Sequence, residues 1–139
     1  MAVRLANSSA IVAADALVDL LDTGGAGSLE IRTGSQPTNG DDADSGTVLG
    51  TFTLSATAFG GAADADPHAD AVANTIADVT AAATGTAGYY AAKDGAGTTR
   101  WTGTITATGG GGDLTLASTS ITSGQTLSIT SWTFRHLEQ

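Results

Sequence analysis

The segment from Asn7 to Gly25, NSSAIVAADALVDLLDTGG, is the only long stretch of this chain with helical periodicity, and it limits what the rest can become. Ile11, Ala14, Leu17, Val18 and Leu21 recur three or four residues apart, which places them on one face, while Asp15, Asp19 and Asp22 fall on the other. Asn7, Ser8 and Ser9 can accept hydrogen bonds from the free amides of a first helical turn, and Gly24 and Gly25 supply a residue able to close the helix in the left-handed conformation. The pattern predicts one helix over residues 8–22, too short to be stable unless its apolar face lies on something else. Everything after it is written in Thr, Ser, Gly and alternating apolar residues, so that partner is a β-body or a neighbouring subunit.

The β-body reads as short strands between Gly and Asp turns. Ser28–Thr33 sets Leu29 and Ile31 against Glu30 and Arg32, the alternation of a strand wet on one side. Residues 34–46 hold Pro37, the Asn39-Gly40 pair and three aspartates, and read as a surface loop. The run 47–59 opposes Phe52, Leu54, Ala56 and Ala58 to a row of Thr and Ser. Residues 60–70 read as a second acidic loop, and 71–80 as a strand, since Thr75, Ile76, Val79 and Thr80 are β-branched, although a helix also fits their spacing. The stretch 86–93 and the stretch 98–108, joined at Asp94-Gly95, make a hairpin. A four-glycine turn at 109–112 precedes Leu114 and Leu116 on one strand face. Residues 125–136 change phase between Leu127/Ile129 and Trp132/Phe134, which suggests a bulge or a strand buried on both sides. The expected fold is mainly β: one domain over 1–139, an antiparallel, jelly-roll-like sandwich spanning 28–136, with a single N-terminal α-helix and an arm over residues 1–6.

Composition narrows the functions. With 139 residues, 41% hydrophobic but only 5% aromatic, and 19 glycines, the core is expected to be thin and to lean on neighbours. A formal charge of -9, with Arg4, Arg32, Lys93, Arg100 and Arg135 scattered singly, argues against nucleic-acid binding and against anionic membrane surfaces. There is no cysteine, which removes disulfide and thiolate chemistry and leans towards an intracellular product. Asp15 and Asp19 interrupt the apolar start, so it does not read as a signal peptide, and no run is long enough for a membrane span.

Candidate chemistry is sparse. Asp64, Asp66, His68 and Asp70 place possible ligands at every second position and would share a face in an extended segment, but the series lacks the glycine and terminal Glu of an ordered calcium loop; a solvated acidic loop is the plainer reading. Asp41, Asp42 and Asp44 have the same weakness. With His68 and His136 the only histidines, nothing signals a Ser-His-Asp arrangement, and the glycines at 109–112 lack the Lys and Ser/Thr of a phosphate loop. No cofactor and no enzymatic activity are expected. Tyr89, Tyr90, Trp101 and Trp132 suggest either a sugar-stacking platform or, the commoner use of strand aromatics, core and interface packing.

The order of short motifs carries more. Ile31–Pro37 (IRTGSQP) fits an I-x-T-G-x-Q-P turn after a first strand, Gly46–Thr51 a GT-x-L-x-T strand, Gly85–Tyr90 a GTA-x-aromatic strand, Asp113–Leu116 a DL-x-L strand, and Ser128–Phe134 a closing S-apolar-T-S-apolar-T-apolar strand. In this order the chain resembles small virion structural proteins of tailed bacteriophages, along nearly its whole length. The resemblance implies a capsid decoration or cement protein made in the host cytoplasm, bound to the major capsid protein and to copies of itself on the capsid surface. Val3 and Leu5 in the arm, with Tyr89, Tyr90 and Trp132, are then the expected interface residues. The alternative is a minor tail, neck or fibre component that touches glycans.

Overall fold

The computed structural model describes residues 3–137, so Met1 and Ala2 of the expected arm and the last two residues lie outside it. The fold is mainly β with one N-terminal helix. Helix α1 (Asn7–Val18) runs into a 3-10 turn (Asp19–Asp22) and is followed by strands β1 (Ser28–Thr33), β2 (Val48–Thr53), β3 (Ala63–Asp64), β4 (His68–Val72), β5 (Val79–Thr80), β6 (Gly85–Lys93), β7 (Thr99–Ala107), β8 (Leu114–Leu116), β9 (Ser120–Ile121), β10 (Thr126–Leu127) and β11 (Thr133–Leu137). They form a curled principal sheet in the order β2-β1-β6-β7-β8, with β9 beside the start of β6, and two small sheets, β10-β5 and β11-β4-β3.

The principal sheet follows the alternation closely. β1 lies between β2 and β6, with Leu29 paired to Phe52 and Ala92, so its apolar half enters the core with theirs. Glu30 and Arg32 project to the other face, where Arg32 and Lys93 both reach Glu30, at 2.7 and 3.1 Å. β6 and β7 form the expected hairpin. Asp94 holds its turn: Oδ1 accepts the amides of Ala96 and Thr98, each at 2.9 Å, and Oδ2 takes the Nε and Nη2 of Arg100.

Not every pairing is antiparallel. β8 runs parallel to β7, with Ile105 opposite Leu114 and Ala107 opposite Leu116. Parallel neighbours normally need a crossover of a dozen or more residues. Here the chain doubles back through residues 108–113, which only glycine allows: Gly109 and Gly111 have φ of +88° and +81°, and a Cβ at Gly110 or Gly112 would stand 2.7 or 2.8 Å from Thr106. The Asp113 carboxylate fastens the return by accepting the Thr104 amide and hydroxyl.

The acidic segment 60–70 is not a loop. It contains β3, a turn whose Asp66–Pro67 peptide is cis, and the start of β4. The run 47–59 is strand only as far as Thr53; Ala56 is exposed, and Phe59 meets Ala73 in an isolated bridge. Of 71–80, only the ends belong to strands, β4 and β5, with irregular chain between. The phase change at 128–132 is a change of sheet: Leu127 pairs with Val79, and after an irregular stretch β11 pairs with β4.

Helix α1 lies on the β11-β4-β3 sheet of its own chain. The contact is small: Ala10 and Ala14 are fully buried against Ala69, flanked by Leu5, Ile11, Ala62 and Phe134. The dry stripe is therefore Ala10, Ala14 and Val18, and Leu17 and Val12, 36% and 67% exposed, lie off it. Leu21 still reaches the main core because the 3-10 turn rotates it there. Nor does the expected cap form. Ala6 occupies the N-cap position without a side-chain bond, and the Asn7 amide instead reaches Asp64 Oδ2 at 2.8 Å. Gly24 and Gly25 do adopt positive φ, of +79° and +119°, past the 3-10 turn. Two aspartates of the expected wet face are used internally: Asp15 accepts the Ala62 amide at 2.6 Å and Asp22 the Ala58 amide at 2.9 Å, tying the connection after β2 to the helix.

Candidate functional site

The aromatic side chains converge where the principal sheet meets the β11 sheet. Trp132, 1% exposed, packs against Phe59 at 4.7 Å between ring centroids, Tyr90 at 5.4 Å and Trp101 at 6.1 Å, and Trp101 continues to Phe134 at 4.9 Å. All aromatics but Phe52 and Tyr89 join this cluster, so a core thin in composition is concentrated at one place. Gly103 makes room for it, since a Cβ there would stand 2.4 to 2.5 Å from the Tyr90 ring and hydroxyl. Burial pushes the Tyr90 hydroxyl up in pKa, partly offset by the nearby indoles of Trp132 and Trp101. Both indole N–H groups are buried without a hydrogen bond of good geometry.

The expected interface residues are mostly internal. Tyr90, on the core-facing side of β6, and Trp132, on the irregular stretch before β11, are both in the core. Tyr89 faces the other way and is also fully buried, beneath residues 34–46, where its hydroxyl donates to the Ser45 carbonyl at 2.6 Å and accepts the Ser45 amide at 2.8 Å. The same connection brings Asp44 onto Lys93 at 3.2 Å and Thr99 at 2.7 Å. Burial acts to raise the Asp44 carboxyl, but the Thr99 hydroxyl and the Lys93 ammonium hold it below the ordinary carboxylate value. This loop is thus pinned to the sheet, a role its lack of periodicity conceals. In the arm, Val3 is 80% exposed whereas Leu5 packs beside Ala10 and Ala14.

The structure also separates the candidate metal ligands. Asp64 sits opposite Ala69, and directly paired residues share a face, so it lies on the helix side of the small sheet. His68 and Asp70 alternate onto the other side. Asp64 accepts Asn7 and the Asp66 amide, and Asp70 is held by a two-point contact with Arg135, each bond 3.0 Å. The expectation of one shared face fails because the chain turns back between Asp64 and His68. Asp42 is likewise taken up by the amides of Asn39. Among the described residues, no group of three or more His, Asp or Glu side chains is arranged to hold a metal, and no helix is long and apolar enough to cross a membrane.

A groove opens beside the aromatic cluster. It encloses about 450 Å3 between β7, the glycine return and β11, with Trp101 and Phe134 as its aromatic wall and Asp113 and Arg135 among its polar lining. Trp101 stands out in the sequence as a strand aromatic, but nothing there marks Phe134, Asp113 or Arg135 as its neighbours, because they converge only through the doubling-back after β7 and the pairing of β11 with β4.

Compared with protein families, curated proteins and solved structures, the chain matches none.

Proposed function

We propose that this chain is a non-enzymatic structural component of a tailed-phage virion, a decoration or cement protein that binds the outer capsid shell through its major capsid protein and through copies of itself. The observation that carries the reading is the chain-long order of motifs, which fall on the joints of the scaffold: Gly34 (φ +87°) ends β1, Gly46 (φ +73°) precedes β2, Gly85 opens β6 and Asp113 opens β8. In this reading the curled sheet and its two companions are a jelly-roll-like sandwich with one parallel exception. Val3 extends from the body, exposed, ahead of a helix already committed to its own sheet, and so is available to a neighbour. The surface is strongly acidic, which keeps free copies apart, while repetition on a shell turns weak contacts into large avidity.

The test is localisation and copy number. Purified particles should carry the protein on the shell in hundreds of copies, and shells lacking it should lose their contents at lower temperature. A handful of copies at the tail or neck would defeat the shell assignment. Deleting residues 1–6 should weaken shell binding; unchanged binding would remove the arm from the interface.

A further inference from the structure

We infer that the groove between β7 and β11 is a binding site for a neutral pyranose sugar, an activity separate from shell binding. Four observations converge. First, its volume of about 450 Å3 lies within the ~300–1,000 Å3 range of small-ligand pockets. Second, Trp101 and Phe134, both half-buried, reach it with rings 4.9 Å apart at 55°, whereas Trp132 lies behind them, fully buried. Indole and phenyl rings give an apolar surface for the C–H face of a sugar ring.

Third, fixed polar groups stand beside that surface. Asp113 uses Oδ2 for the Thr104 amide and hydroxyl, at 2.9 and 2.8 Å, so its carboxylate is oriented while no described hydrogen bond engages Oδ1. Arg135 also lines the groove, and its charge is taken up by Asp70, which accepts its Nε and Nη2 at 3.0 Å each. An acceptor anchored through its other oxygen suits a sugar hydroxyl and loses little freedom on binding. Fourth, the charge excludes anions. Asp113 and the chain's charge of -9 oppose an anionic ligand, while Arg135 is already paired with Asp70.

The test uses the isolated full-length protein, so shell association does not enter and the two proposals fail separately. D-glucose, D-galactose, D-mannose and N-acetyl-D-glucosamine are titrated to about 50 mM, spanning the millimolar affinities expected of one stacked ring, with tryptophan fluorescence and saturation-transfer NMR as readouts. At least one sugar should give a saturable response, and glucuronic acid should bind at least tenfold more weakly than glucose. Thr133→Trp, which fills the groove from the half-buried edge of β11, should lower affinity at least tenfold with the thermal midpoint unchanged. Trp101→Phe keeps an aromatic ring in the core cluster and should weaken binding severalfold while abolishing most of the fluorescence change. No saturable response to any of the four sugars would overturn the proposal. So would equal affinity in Thr133→Trp, or saturable binding of an extended synthetic peptide along β11 without any sugar response.

Discussion

The β6–β7 hairpin and the β3–β4 hairpin are both antiparallel ribbons, yet only the first announces itself. β6 and β7 are nine residues each, β7 alternates Trp101, Gly103 and Ile105 with Thr, β6 carries Tyr89 and Tyr90, and the two turn at an Asp-Gly pair. In β3–β4 the buried positions are Ala69 and Ala71, the alternate ones His68, Asp70 and a 53% exposed Val72, so the apolar pattern is flat or inverted. Alternation reveals a strand when the buried half is large and apolar. When it is alanine, the same geometry looks like an acidic loop. Alanine is there because α1 lies directly upon it: Ala10, Ala14 and Ala69 let helix and sheet approach closely, and a larger side chain at any of them would hold them apart.

Phe134 links the two regions, packing against Ala10, Ala14 and Ala69 on one side and Trp101 on the other, and Trp132 fills the aromatic cluster; Trp132→Ala should destabilise the whole protein by about 3–5 kcal/mol, seen as one lowered thermal transition. Two transitions would show the regions to be less coupled than their packing implies. The alanine seam should be sensitive to volume. Ala14→Leu should cost about 1–3 kcal/mol, and hydrogen exchange should rise in α1 and β4 but not in β6–β7. Asp22→Ala, which strands the Ala58 amide, should cost about 1–3 kcal/mol and speed exchange at 58–62; no change there would mean that water replaces the carboxylate freely.

The hairpin turn is tested by acid. The Thr98 amide, with Arg100 and the Ala96 amide, lowers the Asp94 pKa against the opposing effect of burial. Asp94 is covered by its own turn, 3% exposed, but sits at the rim of the molecule with little protein around it, so solvent screens its charge. A carboxyl whose folded pKa is depressed contributes stability above its unfolded value, about 4, and that contribution is lost as pH falls through the folded value. Denaturation at pH 7 and at successively lower pH should therefore show wild type losing stability below about pH 4, with a shallower loss in Asp94→Asn. Equal slopes would remove Asp94 from the acid response. The smallest effect belongs to the other hairpin: Asp70→Ala breaks a pair whose Arg135 is 56% exposed and should change stability by about 0–1 kcal/mol, less in high salt.

Legibility at the groove follows the same division. Trp101 was visible as an aromatic at a strand position, but a fixed Asp113 and Arg135 beside it required knowing that β8 lies parallel to β7 and that β11 belongs to another sheet. The acidic set at 64–70 was visible as a spacing and failed as a site, because spacing is a property of one extended segment and that segment turns back on itself.

From the sequence alone follow one N-terminal helix, a β-rich body, β1 at its full length, the β6–β7 hairpin with its Asp94 turn, and an acidic chain without cysteine. These are set by local periodicity, turn chemistry and composition, which act over a few residues. Only the tertiary structure decided which helix face is dry, that Asp15 and Asp22 face loop amides, that Tyr89 holds residues 34–46, and that the chain passes from one sheet to another at 128–132. Each of these rests on partners far apart in sequence. A buried alanine, a satisfied aspartate or a shifted strand is defined by what packs against it, and its own side chain carries no mark of that partner.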